Sequence, residues 1–547
     1  MAKKILFNTA ARSAVKAGLD KAVDAVKVTL GPRGRNVIID RGYGGPHMTN
    51  DGVTIAKEIS FKDKFENMGA EIVKEVANKT NDLAGDGTTT AAVLLQALVD
   101  EGMKHTAMGL SAMGIRSGME QASKDVVAVL KSLAKKIPEN SIEEIRQVAS
   151  IAAESEEIGA KIAEVIKKVG KDGVVTVDES QGTEIETELV EGMEFDRGYV
   201  SAYMITNPER MEAEYKDAAI LITDKKIASV QEILPLLEKI AQTGKKELVI
   251  IADDVEGEAL TTFVLNKLQG RFNILAVKAP GYGDRKKDVL ADIAIVTGGT
   301  VISEEVGIEL KNAELAMLGR AQKVIASKDK TALVGGKGKK AVIEERVASL
   351  RVQYAAVDSK FDKEKLEERI AKLAGGVAVI RVGAATETEM KYLKDKIDDA
   401  VNATKAAIVE GIVAGGGSAL VKAAAKAGKE ADWKKMDDAE ATGYRIVLSA
   451  LKEPLKQIAL NAGKEGAVIV SDVEKGKGNV GYDARTDEMV PDMIERGIID
   501  PVKVTRGGVE HAVSAASILL TTEAAIADEP EDKKDAPQMP GGMGMDY

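Results

Sequence analysis

The chain has 547 residues, 44 % of them apolar and 30 % charged, and a net charge of −11. That length exceeds what one hydrophobic core supports, and the acidic balance argues against nonspecific nucleic-acid binding, which needs a basic surface. With no cysteine, and with His47, His105 and His511 far apart in the chain, disulfides, thiolate chemistry and Cys/His zinc sites have nothing to rest on.

In chain order, Lys3 and Lys4 precede Ile5-Leu6-Phe7, an apolar stretch too short for a signal peptide, and no later run is long enough to span a bilayer. A cytoplasmic protein is the expectation. Residues 10–134 read mostly helical. Ala14–Leu30 carries an apolar stripe through Val15, Leu19, Ala22, Val23 and Val26 and stops at Gly31-Pro32. Asn36–Asp40 and Val53–Ile59 read as short strands around a glycine-rich turn that includes Thr49-Asn50-Asp51-Gly52. Helical patterns follow at 65–84, 89–107 and 111–135, and Lys136-Ile137-Pro138 marks a first boundary.

Helices at 142–152 and 156–168 then lead to a strand over Gly173–Val177. Between 191 and 376, the runs Ala219–Thr223, Glu247–Ile251, Ile274–Lys278 and Ala294–Val296 alternate with helical patterns, which suggests an α/β domain. Val377–Val382 reads as a strand, 385–410 as a charged helix ending near Gly415-Gly416-Gly417, and the rest to 524 as helical with an irregular insert at 466–505. The segment Asp528–Tyr547 has too little apolar content to pack. Gly476-Lys477-Gly478-Asn479-Val480-Gly481 matches a dinucleotide fingerprint only formally, because no amphipathic helix follows it.

The segment richest in chemistry is Gly85-Asp86-Gly87-Thr88-Thr89-Thr90, which runs into Ala91-Ala92-Val93-Leu94-Leu95. Two glycines permit close backbone approach, and a helix start offers unpaired N–H groups and partial positive charge to phosphate. An aspartate in the same turn suits Mg²⁺, which favours one or two carboxylates plus phosphate oxygens. The hexapeptide lacks the lysine of a Walker loop. By itself it is equally an ordinary capped helix. Taken singly, Leu30-Gly31-Pro32-Arg33 is a turn, Gly415–Gly417 a linker, Asp398 and Asp399 surface carboxylates, and Asp500 a loop residue.

Val26–Pro32, Asp63–Ala70, Gly85–Thr90, Glu191-Gly192-Met193-Glu194-Phe195-Asp196-Arg197-Gly198-Tyr199 and Ala414–Gly417, in this order, resemble the group I chaperonins of the bacterial GroEL type. The resemblance covers residues 2–525, and Gly541-Gly542-Met543 fits as well. It implies a multidomain α and α/β fold: a mainly helical equatorial ATPase domain from 1–134 and 410–527, a small α/β intermediate domain from 135–190 and 377–409, an α/β apical domain over 191–376, and a Gly/Met tail over 528–547.

It further implies an ATP-dependent chaperone that assembles as two stacked seven-membered rings. Such a ring binds non-native polypeptides, encloses them with a ring-shaped co-chaperonin of the GroES type, and times the cycle by slow hydrolysis. Nucleic acid and membrane are not implied partners. The implied ATP/ADP site comprises Thr29, Leu30, Gly31, Pro32, Asn50, Asp86, Gly87, Thr88, Thr89, Thr90, Gly416, Asp483, Ala484, Arg485, Ile498 and Asp500. Asp86 would hold Mg²⁺, the carbonyls of Thr29 and Asn50 would neighbour K⁺, and Asp399 would orient the attacking water, assisted by Asp51.

Client and co-chaperonin would meet Tyr199, Tyr203, Met204, Leu234, Leu237, Leu260, Val264 and Leu265. The helical spacing of Leu234/Leu237 and Leu260/Val264 alone means core packing; only the resemblance turns them outward. Asn50, Arg485 and Met204 depart from the best-known member, which has lysine, a small residue and phenylalanine there. The rival readings are a ring scaffold with a decayed nucleotide site and an ATP-dependent metabolic kinase, for which no acceptor-binding motif stands in the chain.

Overall fold

A computed structural model describes residues 2–528 apart from 41–45, 139–140, 171–172, 181, 209 and 358. It divides into two compact units, one drawn from residues up to Ile137 and from Asn402 onward, the other Pro138–Val401. No described helix is long and apolar enough to cross a membrane. The turn at 41–45 and the tail beyond Asp528, both singled out in the sequence, lie outside the described residues.

The first unit is helical. Helix Asn8–Lys27 buries Ala11, Val15, Leu19, Ala22, Val23 and Val26, the stripe the spacing predicts, but it starts earlier and ends three residues short of Leu30. It crosses helix Lys64–Ala84 with backbones nearly touching: a Cβ on Gly18 would lie 1.8 Å from the Glu66 carbonyl oxygen, and one on Gly69 would lie 2.0 Å from that of Val15. Helix Thr88–Ala107 buries Ala91 through Leu95, Leu98 and Val99, and so runs through the core rather than along its surface. Helix Val502–Leu520 packs beside it, and helix Ala112–Leu133 packs in turn against Val502–Leu520. Strands Lys3–Phe7 and Ala524–Asp528 pair antiparallel and join the two halves of this unit.

Two expected strands are helical. Val53–Ile59 falls in helix Gly52–Glu58, because the Asp51 carboxylate caps its first turn by accepting from the N–H groups of Val53 (3.3 Å) and Thr54 (2.9 Å). The partner of strand Val37–Ile39 is instead His47–Thr49. Ala294–Val296 closes helix Asp284–Thr297; a short apolar run does not by itself distinguish a buried helix from a strand. The 466–505 insert contains helix Gly466–Lys475, and the rejected fingerprint leads into strand Gly481–Asp483, not a helix.

Besides the short parallel pair Lys226–Ile227 and Asp254–Val255, the described residues of the second unit form two sheets. In the smaller, Val377–Val382 lies between Val174–Glu179, to which it is parallel, and Ile185–Val190, to which it is antiparallel. In the larger, Asn273–Lys278, Glu247–Ala252 and Ala219–Thr223 are parallel and continue into the antiparallel strands Gly319–Ala326, Thr331–Gly336 and Gly192–Phe195. Every residue of Ala219–Thr223 is buried, as befits a parallel strand covered on both faces.

On one flank of this sheet, Asp292 is 1 % exposed and takes a 2.8 Å bond from Nε of both Arg346 and Arg369, on helices Lys340–Ala356 and Lys360–Ala374. Removing one member of a buried ion cluster strands the remaining charges. Asp292→Ala is therefore expected to destabilise this unit by about 3 kcal/mol. A thermal melt showing no earlier transition would mean the two arginines do without it.

Candidate functional site

The turn singled out in the sequence sits between two helices whose ends it shapes. Helix Lys64–Ala84 ends on Gly85 at φ +70°, and helix Thr88–Ala107 starts after Gly87 at φ +82°, both left-handed conformations that favour glycine. Asp86 lies between them, and its Oδ1 accepts from the Gly87 N–H at 2.5 Å. Thr88 and Thr89 are buried at the helix start. Gly52, beside Asp51, comes so close that a Cβ there would lie 2.4 Å from Thr89 Oγ1 and 2.8 Å from Thr88 Oγ1. Gly52→Ala is accordingly expected to displace these hydroxyls and, at a turn the resemblance assigns to nucleotide, to weaken binding of Mg–ADP; calorimetric titration that gave wild-type affinity would contradict this.

The turn after the first helix meets the same place. Thr29 is buried, with Oγ1 2.9 Å from the Val26 carbonyl oxygen and 3.4 Å from Thr89 Oγ1. Leu30 and Gly31 (φ +84°) follow, held by Asn461, whose Nδ2 donates to the carbonyls of Lys27 at 3.0 Å and Leu30 at 2.9 Å. Ile458, one turn earlier on helix Glu453–Asn461, lies against Gly31. Leu455 on the same helix abuts Gly417, so this helix joins the first turn to the glycine triplet. Sequence reasoning missed Leu455, Ile458 and Asn461, since an asparagine on an amphipathic helix carries no distinguishing signal.

Gly415–Gly417 link strand Ile412–Ala414 to helix Ser418–Glu430, and that strand pairs antiparallel with Ile499–Pro501, setting Val413 opposite Asp500. The Asp500 carboxylate accepts from the Gly416 N–H. Though still partly open to solvent, it lies deep enough that burial, with the Asp86 charge nearby, pushes it up to about 7. Two carboxylates thus converge where helix Thr88–Ala107 begins. Val504, one helical turn beyond Asp500, touches Gly87 from the other side.

Asp483 and Ala484 are buried, and Asp483 Oδ1 accepts from the Arg485 N–H at 2.9 Å. The Arg485 side chain is exposed, while its carbonyl takes a 3.1 Å bond from Arg33, next to Pro32. Ile498 is half-buried, and its carbonyl accepts from the Gly415 N–H at 2.9 Å. The expected nucleotide residues from Thr29 to Asp500 therefore share one unit. Asp399 does not share it: it lies half-buried on helix Glu387–Glu410, in the Pro138–Val401 unit. Asp51 has both oxygens engaged as a helix cap, Oδ2 also taking the Thr54 hydroxyl at 2.6 Å.

Residues 23–530 match the model of the TCP-1/cpn60 chaperonin family. The chain belongs to this family. A crystal structure of the chaperonin gp146 from the bacteriophage EL 2 (Pseudomonas aeruginosa), in the presence of ATP-BeFx, superposes with a TM-score of 0.68 at 21 % identity, over 96 % of this chain and 99 % of that one. The chaperonin fold, α with α/β parts, is thus established from sequence family and structure together, and the role that goes with it is that of a chaperone.

In this chaperonin the expected client residues lie in the second unit. Tyr203 is 69 % exposed on the short 3-10 helix Ala202–Met204, which packs beside helix Gly257–Leu268 and is tied to it by Lys267, whose Nζ donates to the Ile205 carbonyl at 2.8 Å. Leu265 is 50 % exposed on that helix and Leu234 39 % on helix Leu234–Gln242, while Tyr199, Leu237, Leu260 and Val264 are half-buried. Met204 departs from the expectation. It is fully buried, its Sδ 3.2 Å from the Ala276 N–H, because a flexible thioether fills the gap beneath the 3-10 helix.

Proposed function

We propose that this chaperonin is an ATP-driven folding machine of the group I, GroEL type. The observation that carries the reading is the meeting of Asp86, Asp500 and the Gly416 N–H at the start of helix Thr88–Ala107. Free N–H groups at a helix start bind phosphate, and carboxylates beside them suit a hard cation. Among the described residues no three His, Cys, Asp or Glu side chains gather as a self-sufficient metal site. That fits Mg²⁺, which takes few protein ligands and completes its shell with phosphate oxygens and water. ATP–BeFx in the gp146 crystal speaks for nucleotide at this fold.

In this reading Thr88, Thr89 and Thr90 cradle the phosphates, and Asp86 holds Mg²⁺, which would neutralise phosphate charge. The Thr29 and Asn50 carbonyls face K⁺. Thr29–Pro32, Gly416, Asp483–Arg485 and Ile498 enclose the nucleoside, and Asp500 accepts from ribose. Asp399 orients the attacking water. The helical unit corresponds to the equatorial domain. The smaller sheet, with helix Glu387–Glu410, forms the intermediate domain, and the larger sheet forms the apical one. Fourteen copies form two stacked rings in the cytoplasm, each capped by a heptameric co-chaperonin.

Exposed apolar side chains on such a ring bind several segments of one unfolded chain, gaining avidity without sequence specificity. The test is Mg²⁺-dependent ATP hydrolysis, with negative-stain microscopy with and without nucleotide and co-chaperonin. Absence of hydrolysis in an assembled ring would favour the scaffold reading. Tyr203→Glu is expected to abolish capture of denatured polypeptide and of co-chaperonin while basal hydrolysis persists. Undiminished client capture would remove Tyr203 from this surface.

A further inference from the structure

Helix Glu453–Asn461 belongs to an apolar cluster separate from the main core of the helical unit. The cluster gathers Leu455 and Ile458 from this helix, Val421 from helix Ser418–Glu430, and Tyr482 and Ala484, with Leu30 packed against it. Leu30 lies in the turn Thr29–Pro32, Val421 follows the glycine triplet, and Tyr482 and Ala484 flank Asp483. These are the segments that enclose the nucleoside in the reading above, and one helix backs them all.

Its two ends meet different segments. In its first turn, the Leu455 N atom stands 2.8 Å from where a Cβ on Gly417 would lie. Ile458 Cγ2 stands 3.0 Å from the same position on Gly31. At the last residue, Asn461 Nδ2 holds the carbonyls of Lys27 and Leu30. From Leu455 to Asn461 the helix rises about 9 Å, so it spaces the first turn from the triplet like a rigid strut.

The Asn461 amide is itself held. Gln457, one turn earlier, donates from Nε2 to Asn461 Oδ1 at 2.8 Å, which leaves Nδ2 facing the two carbonyls. Around the turn, the Val26 carbonyl takes the Thr29 N–H, that of Val28 the Arg35 N–H, and that of Gly31 the Gly34 N–H. Among the described residues, the Leu30 carbonyl takes its hydrogen bond from Asn461 alone. Gly31, at φ +84°, comes next, so the turn would swing most easily where Asn461 grips it.

We propose that Asn461 is a positioning residue for the nucleotide: its amide pins the turn Thr29–Pro32 to helix Glu453–Asn461 and so sets its spacing from Gly415–Gly417. The inference rests on the nucleotide reading above and adds what keeps these two turns apart at a fixed distance. The hydrogen bonds of the Asn461 side chain go to Lys27, Leu30 and Gln457, none of which that reading assigns to phosphate or Mg²⁺. Losing them costs pre-organisation, and hence affinity, while the reacting groups stay in place.

The test is steady-state hydrolysis by the assembled full chain, with ADP affinity measured by equilibrium dialysis. Asn461→Ala is expected to raise KM for ATP and to weaken ADP binding about 10-fold, with kcat nearly unchanged. Asn461→Asp fills the same space but cannot donate, and should match or exceed that loss. Gln457→Glu keeps Asn461 yet takes away the donor to its Oδ1, so the amide turns from the carbonyls and KM rises in the same direction. Loss of stability alone would lower the melting temperature without this split between KM and kcat. Wild-type KM and ADP affinity in the folded variants, or a fall in kcat with KM kept, overturns the positioning role and leaves the nucleotide reading standing. If Asn461→Ala does not assemble, the other two variants decide by the same criterion. A wild type that neither binds ADP nor hydrolyses ATP overturns both.

Discussion

Asp399→Ala is expected to slow ATP hydrolysis at least about 10-fold while leaving nucleotide and co-chaperonin binding in place. The groups proposed to bind nucleotide all stand in the helical unit, whereas Asp399 belongs to the other one and is proposed to orient water, not to hold phosphate or ribose. Phosphoryl transfer depends on an oriented nucleophile and neutralised charge more than on a strong base. A carboxylate that only orients water suffices, and without a strong base the reaction is slow. Asp51 is poorly free to substitute, since its oxygens already hold Val53, Thr54 N–H and the Thr54 hydroxyl. The measurement is single-turnover hydrolysis of pre-bound ATP. An unchanged rate would take water positioning away from Asp399.

What the sequence made legible follows from how local each signal is. The helix after Gly87 was readable because two glycines, three threonines and an apolar run carry their meaning within a few residues. The helix Gly52–Glu58 was not, since Val53, Thr54, Ile55 and Ile59 favour a strand until Asp51 is seen capping them. Gathering Thr29, Asp86, Gly416 and Asp500 into one site needed the family resemblance, because more than 300 residues separate Asp86 from Gly416 and no periodicity spans that gap. Asn461 escaped both routes. It looks like an ordinary polar surface residue until the fold brings a carbonyl pair to meet it.

The larger effect is expected at Asp86. Asp86→Ala should lower Mg²⁺-dependent hydrolysis on the order of 100- to 1,000-fold, the range typical of deleting one group that stabilises transition-state charge. It should also change the protein without ligand, and in the opposite sense. Asp500 stands at about 7 against an ordinary 3.8, by burial first and by the Asp86 charge second. A carboxyl raised in the native state favours folding fully below its ordinary value, and that advantage is lost as pH rises through about 7. Without Asp86, the repulsion behind part of this loss is gone. The ligand-free variant is therefore expected to melt higher than wild type at pH 8, with the difference shrinking toward pH 4 and with Mg²⁺ raising the melting temperature of the wild type alone. Wild-type hydrolysis in the variant would take the metal-binding role from Asp86. Equal melting at pH 8 would instead mean that burial by itself sets the Asp500 carboxyl.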